Sequence, residues 1–191
     1  MRTLWSALRI VALATLILGL GYNLAMVGIA QLVFPAKANG SLMRVNGHVV
    51  GSALIGQEWT SPRFFHGRPS ATSPAYNASA SSSSNLGPTN PILLKHIRSN
   101  LALFLKQNPG VKASQVPPAM VESSASGLDP DIPPAGAYLQ APRVARTNHL
   151  PLAKVDQLIR SHTTGRFLGL FGSPHVNVLK LNVATMAAAK G

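Results

Sequence analysis

Carboxylates are the scarcest reactive groups in this chain. Glu58, Glu122, Asp129, Asp131 and Asp156 are the only five, against 17 Lys and Arg in 191 residues. Asp129 and Asp131 lie close in sequence, a pair that could suit a divalent cation. Both stand beside prolines in Asp129-Pro-Asp-Ile-Pro133, and Asp before Pro opens turns. The pair therefore reads as a structural turn in preference to a divalent-cation site, which would need six or more oxygen ligands. The six histidines are dispersed, with no H-E-x-x-H or other paired spacing for zinc. Cysteine is absent, which excludes disulfides, thiolate metal sites and thiol nucleophiles. There is no G-x-x-x-x-G-K-[ST] phosphate loop and no G-x-S-x-G elbow. A Ser-His-Asp triad is assembled in space, so a sequence does not exclude one, but no local signature supports it.

What remains is polar residues set in rigid turns. Gly67-Arg-Pro-Ser70 places the Arg68 fork where it could clamp a carboxylate or carbonyls. Ser84-Asn-Leu-Gly-Pro88 and Ser126-Gly-Leu-Asp-Pro130 are turns whose Asn85 and Asp129 side chains can bond nearby backbone. Arg68, Asn85 and Asp129 are the best polar anchors of ordered loops. The formal charge of +12 invites a nucleic-acid reading, but Lys and Arg occur as scattered singlets and no basic run or nucleic-acid motif is present. No nucleic acid is expected. A solvated basic surface, facing anionic headgroups, is the simpler reading.

The elements that must position these residues follow from periodicity. Leu42 to Val50 reads as a β-hairpin about Asn46-Gly47, the favoured pair for a type I′ turn, with the second strand continuing to Gly56. Ser61 to Ser70 is a loop, and the Ser-, Ala- and Pro-rich stretch 71–84 is a long surface loop or a linker. Asn90 is placed as an N-cap and Pro91 as the first residue of a helix to about Gln107, with Leu93, Ile97, Leu101, Phe104 and Leu105 on one face. A short helix is expected over Ala135 to Gln140, ended by Pro142. A second helix starts near Pro151, with Val155, Leu158, Ile159 and His162 on its buried side. Phe167 to Phe171 and Val176 to Val183 read as a terminal hairpin. The fold class is α+β in a single small mixed domain.

Upstream, no charged residue lies between Arg9 and Lys37. A hydrocarbon layer of ~30 Å needs about 20 helical residues, so this run is long enough to span. Positive charge on the short N-terminal flank favours keeping that flank inside. The expected organisation is 1–9 cytoplasmic, 10–34 one transmembrane helix and 35–191 an extracytoplasmic α+β domain, periplasmic in a Gram-negative cell, with the chain single-pass in a bacterial inner membrane. The competing reading is a cleaved signal peptide, for which Ala36-Lys-Ala38 offers a cleavage pattern, but a signal's apolar region is shorter. Gly19, Gly21 and Gly28 would let another helix approach closely, and Asn23 would bond either a partner helix or its own backbone.

Six blocks in order, Gly51-Ser-Ala-Leu-Ile-Gly-Gln57, Phe64-Phe-His-Gly-Arg-Pro-Ser-Ala71, Ser84-Asn-Leu-Gly-Pro-Thr-Asn-Pro91, Ser126-Gly-Leu-Asp-Pro130, Pro142-Arg-Val-Ala145 and Val176-Asn-Val-Leu-Lys-Leu-Asn182, stand behind one membrane span. In this the chain resembles the C subunit of the Kdp potassium-transporting ATPase. The resemblance implies a non-catalytic accessory subunit of an ATP-driven potassium uptake complex, partnered by a channel-like potassium-translocating subunit and a P-type ATPase subunit. It implies no cofactor in this chain, while the complex uses ATP, Mg and K+. A chaperone effect that raises the ATP affinity of the ATPase subunit is part of the family's description; with the domain outside, that effect would be indirect. The blocks supply the remaining partner or loop-anchor candidates, Gln57, Ser70, Asn90, Ser126, Arg143 and Asn177. This chain departs from the family pattern at Asp131, where a His is usual, and in the Ser-rich run before Ser84, which is usually richer in Gly. The alternative function is a free-standing membrane-anchored or secreted binding or hydrolytic domain.

Overall fold

The computed structural model describes residues 1–190 and divides into two compact units, Met1–Leu42 and Met43–Gly191. In the first, helix α1 runs from Arg2 to Val33 and is long and apolar enough to cross a membrane. At ~1.5 Å per residue it is about 48 Å long. None of its residues is buried. Its middle, Thr15–Gly21, winds as a π-helix, and Tyr22 N accordingly donates to Ile17 O. Asn23 Nδ2 donates to Leu18 O at 3.1 Å and Gly19 O at 2.7 Å, filling acceptors where the ladder changes pitch. Asn23 is thus bonded to its own backbone. A single turn, Pro35–Ala38, follows.

From the last residue of the first unit onward, strands β1 (Leu42–Val45) and β2 (His48–Ser52) form the expected hairpin. Asn46 and Gly47 take φ of +50° and +81°, both positive as a type I′ turn requires. The second strand stops at Ser52 and does not continue to Gly56, because Ala53 O and Gly56 N turn to other partners, Asn177 Nδ2 and Leu128 O. After a long loop, α2 (Pro91–Gln107) begins where expected: Asn90 accepts from Ile92 N at 2.9 Å, with Pro91 in the first turn. Leu93, Ile97, Leu101, Phe104 and Leu105 are its inward residues, and only Phe104 is fully buried.

Strand β3 (Asp131–Ile132) leads into α3 (Pro134–Thr147). This helix is longer than the sequence suggests, since Pro142 lies inside it. Pro142 is on the exposed face, where the carbonyl deprived of its N–H partner can meet water. Burial of Arg143, Val144 and Ala145 in the following turn offsets the break. Then come α4 (Leu152–Ser161) and β4 (Thr163–Thr164). The expected terminal hairpin is replaced by β5 (His175–Asn177) and helix α5 (Val178–Ala188). Alternation of Val and Leu gives a strand signal, but Asn177 caps a helix by accepting from Lys180 N at 3.2 Å. Val178, Leu179, Leu181, Asn182 and Thr185 then bury along that helix. Strand β5 is central in a small antiparallel sheet ordered β3-β5-β4, with Ile132 opposite Val176 and Thr163 opposite Val176. The core joins Ile132, Val144, Val155, Ile159, Val176 and Leu181 with Phe65 from the long loop. The mixed α+β class expected from the sequence is the one observed.

Candidate functional site: loops pinned by side chains

Between β2 and α2 lie 38 residues, 53–90, without a helix or strand. A loop of that length usually carries function or is disordered. This one is tied down by side chains, which stand in for a sheet ladder.

The inner tie is the segment Pro62–His66. Phe65 is fully buried, so its backbone needs partners. Asn182 of α5 supplies both: Phe65 N donates to Asn182 Oδ1 at 2.7 Å, and Asn182 Nδ2 donates to Phe65 O at 2.9 Å. One amide side chain thus imitates a neighbouring strand. Gln140 of α3 repeats the device for His66, at 2.8 and 3.1 Å. Arg143, one turn on, donates to Pro62 O at 2.5 Å, Phe64 O at 2.8 Å, Gln140 Oε1 at 2.8 Å and Asn108 Oδ1 at 3.0 Å. It is 4% exposed. Burial pulls its pKa down to about 10, so it stays a cation at neutral pH. Asn148 adds a bond to Arg63 O at 2.7 Å.

The outer tie joins two turns. Arg68 Nη1 donates to Asp129 Oδ2 at 2.8 Å. Asp129 Oδ1 accepts from Asp131 N, and Asp131 Oδ1 from Asn177 Nδ2, each at 3.0 Å. Asn177 Nδ2 also donates to Ala53 O at 2.9 Å. An ordered relay therefore runs Arg68, Asp129, Asp131, Asn177, and ends in the cap of α5. Beside it Ser70 Oγ donates to Gly127 O at 2.7 Å and accepts from Tyr76 N at 3.0 Å. Tyr76 Oη donates to Arg68 O at 2.5 Å. Burial first, and the Asp129 charge second, push the Tyr76 pKa up to about 12. The Ser126 carbonyl receives Ser82 N and Ser81 Oγ from the Ser-rich stretch. Gly56 and Gly127 permit this closeness. A Cβ on Gly56 would stand 2.6 Å from Asp129 O, and one on Gly127, where φ is +67°, would stand 2.8 Å from Ser82 O.

The structure therefore brings together Arg68, Ser70, Ser126, Asp129 and Asn177 of the expected residues. Gln57 lies near them and donates to Val50 O at 2.9 Å. Arg143 belongs to the inner tie, and Asn90 is the cap of α2. Asn85 differs from expectation: its φ is +51°, it is exposed, and its Oδ1 accepts from Ser83 Oγ and not from its own backbone. Gly19 and Gly21 lie in the π-helical stretch, and Gly28 has open space around it. The Asp129-Pro-Asp131 unit is a turn whose carboxylates are engaged with protein donors. Among the described residues no three His, Asp or Glu gather to hold a metal. Sequence reasoning missed Gln140, Asn182, Asn148 and Tyr76. Asn and Gln within otherwise apolar helical faces were the available signal, since a buried amide demands partners.

A cleft of about 250 Å³ opens beside the two ties, lined by Glu58, His66, Arg68, Tyr76, Phe104 and Gln107 among others. His66 faces oxygens on both sides, Ser61 O at 3.0 Å and Gln107 Oε1 at 3.2 Å. Desolvation is the main cause that lowers its pKa, with the Arg143 charge adding to it. One hydroxyl of the lining, Ser70, is spent on backbone and Thr72 partners. The arrangement holds loops in register, and His66, Ser70 and Asp129 are engaged in scaffold bonds.

Comparison with known proteins bears on the same blocks. The family model described as KdpC, K+-transporting ATPase, c chain, matches residues 4–186. The chain belongs to the KdpC family. Potassium-transporting ATPase KdpC subunits similar to it include that of Caldanaerobacter subterraneus subsp. tengcongensis, 51% identical over 91% of this chain and 89% of the relative. That of Acidobacterium capsulatum is 49% identical over 96% and 97%. That of Bradyrhizobium diazoefficiens is 46% identical over 99% and 98%. Membership makes the chain a KdpC subunit of a K+-transporting ATPase, with one helix fit to anchor it.

Proposed function

We propose that this chain is a non-catalytic subunit that stabilises the assembly of a channel-like potassium-translocating subunit with a P-type ATPase subunit. Its span is held in the inner membrane, its N-terminus lies in the cytoplasm, and its α+β domain lies outside. ATP, Mg and K+ are used by the partners, and any rise in ATP affinity comes indirectly, by favouring one arrangement of the complex. The observation that carries the reading is that the family match runs from residue 4 to 186 while the matching blocks are consumed in tying loops together. Residues kept for bonding their own scaffold serve shape, and a rigid shape serves docking.

Purification of the tagged chain in mild detergent tests this. Co-purification of two larger membrane proteins, with potassium-stimulated ATPase activity in the eluate, is the expected result. A lone, stable, ligand-binding protein would overturn it. Reporter fusions at the C-terminus test the topology separately: alkaline phosphatase should be active there, and a reporter active only in the cytoplasm would contradict the orientation.

A further inference from the structure

Between Gly165 and Gly172 the second unit carries a tight turn that the loop ties do not use. Its tip is Phe167, Leu168, Leu170 and Phe171, exposed by 71, 76, 74 and 64%. Four large apolar side chains on one turn form a patch of roughly a few hundred Å², a size that marks interaction sites. The turn is closed by its own backbone. Phe167 N donates to Phe171 O at 2.8 Å and Phe171 N to Phe167 O at 3.0 Å, while Gly169 N donates to Arg166 O at 3.1 Å. Leu168 sits at φ +51°, in the left-handed region where a residue with a side chain is strained. Strain is thus accepted to hold an apolar side chain outward in a fixed place. Along the chain the turn is flanked by cations, Arg160, Arg166, Lys180 and Lys190, with no Asp or Glu from Gln157 to Lys190, and an acid from elsewhere, Asp131, stands 3.9 Å from His175 beside it.

We propose that the 165–172 turn is a knob that seats in an apolar, acid-rimmed socket on a neighbouring subunit of the transporting ATPase. The proposal rests on the assembly reading above and adds the surface that makes the contact. A protein socket fits these features better than a bilayer does. Fluid lipid accepts apolar side chains in any arrangement and gives nothing back for the strain at Leu168. A knob ordered in advance loses little freedom when it meets a complementary pocket, and buried aromatic anchors dominate such contacts. The turn also lacks the Trp and Tyr, and the clustered Lys and Arg, of a headgroup contact.

The chain has no cysteine, so Leu168→Cys gives one labelling site in this subunit. Carrying a short photo-crosslinker, in membranes that hold the whole pump, it should crosslink to another subunit. The triple change Phe167→Ser, Leu168→Asn and Phe171→Ser should lower co-purification of the chain with its partners by about tenfold or more. The chain's own thermal midpoint should stay put, because these side chains are mostly exposed and outside the core cluster. The proposal is overturned if the crosslinker forms adducts with lipid only, or if the triple variant co-purifies within about twofold of the parent. Failure of the unmodified chain to co-purify is a distinct result, which removes the assembly reading and this proposal with it.

Discussion

At the scale of single residues, the second unit depends on side chains that imitate backbone. Arg143 bonds two carbonyls and two amide oxygens with a planar fork that a lysine cannot copy. Arg143→Lys should therefore cost about 2–4 kcal/mol, from charged hydrogen bonds lost and buried carbonyls left unmet. Chemical denaturation of the full chain in detergent measures it. Two titrations give signed expectations. Burial favours neutral His66, so its folded pKa lies below its ordinary 6.5. The unfolded chain then takes up the proton first, and stability present above pH 6.5 is lost as pH falls below it. His66→Gln should flatten that part of the acid limb. Tyr76 is shifted the other way, from 10 to about 12. Its contribution is fully present below pH 10 and is lost as pH rises through about 12. Tyr76→Phe should remove that alkaline loss and cost about 1–2 kcal/mol for the missing bond to Arg68 O. Thermal melts across pH 5–11 check both, using the parent chain beside each variant.

At the scale of elements, what was legible depended on whether the deciding interaction is local. Asn90-Pro91 and the spacing of Leu93, Ile97, Leu101 and Phe104 define α2 without help from elsewhere. Asn46-Gly47 defines the β1–β2 turn in the same way. The end of the chain misleads, because Val176 to Val183 alternates as a strand does, while the helix is fixed by the Asn177 cap and by partners 117 residues away at Phe65. Pro142 misleads for a related reason: tertiary burial of Arg143 and Val144 outweighs one missing helix bond. In the candidate site, Arg68, Ser70 and Asp129 were legible as turn residues. Their mutual pairing was not, since it spans 61 residues for the ion pair. The tie between α5 and the loop predicts that Asn182→Leu, similar in size but without polar atoms, should cost about 2–4 kcal/mol by leaving both polar groups of Phe65 unmet. Gly56→Ala should cost about 1–3 kcal/mol through overpacking against the Asp129 carbonyl. Equilibrium unfolding of the two variants reads both.

At the scale of the whole molecule, the chain offers an exposed apolar helix of 32 residues and a basic domain unit whose only acids number five. Both are surfaces on which the proposed assembly role would act. One ion pair, Arg68 with Asp129, uses an acid internally, and His175 stands 3.9 Å from Asp131, so most of the +12 charge faces outward. Such a charge near a cation entrance would repel potassium, although screening limits this beyond ~8 Å at physiological salt. On the proposed reading the chain supports the pump by holding it together and performs no chemical step. The most direct measurement is potassium-stimulated ATP hydrolysis per assembled complex, with Glu58→Gln and His66→Gln introduced separately into this subunit. The account predicts turnover within about twofold of the parent in complexes of full subunit content, whatever the yield of assembly. Loss of turnover by about a hundredfold or more in fully assembled complexes, as removal of an acid–base group produces, would contradict it.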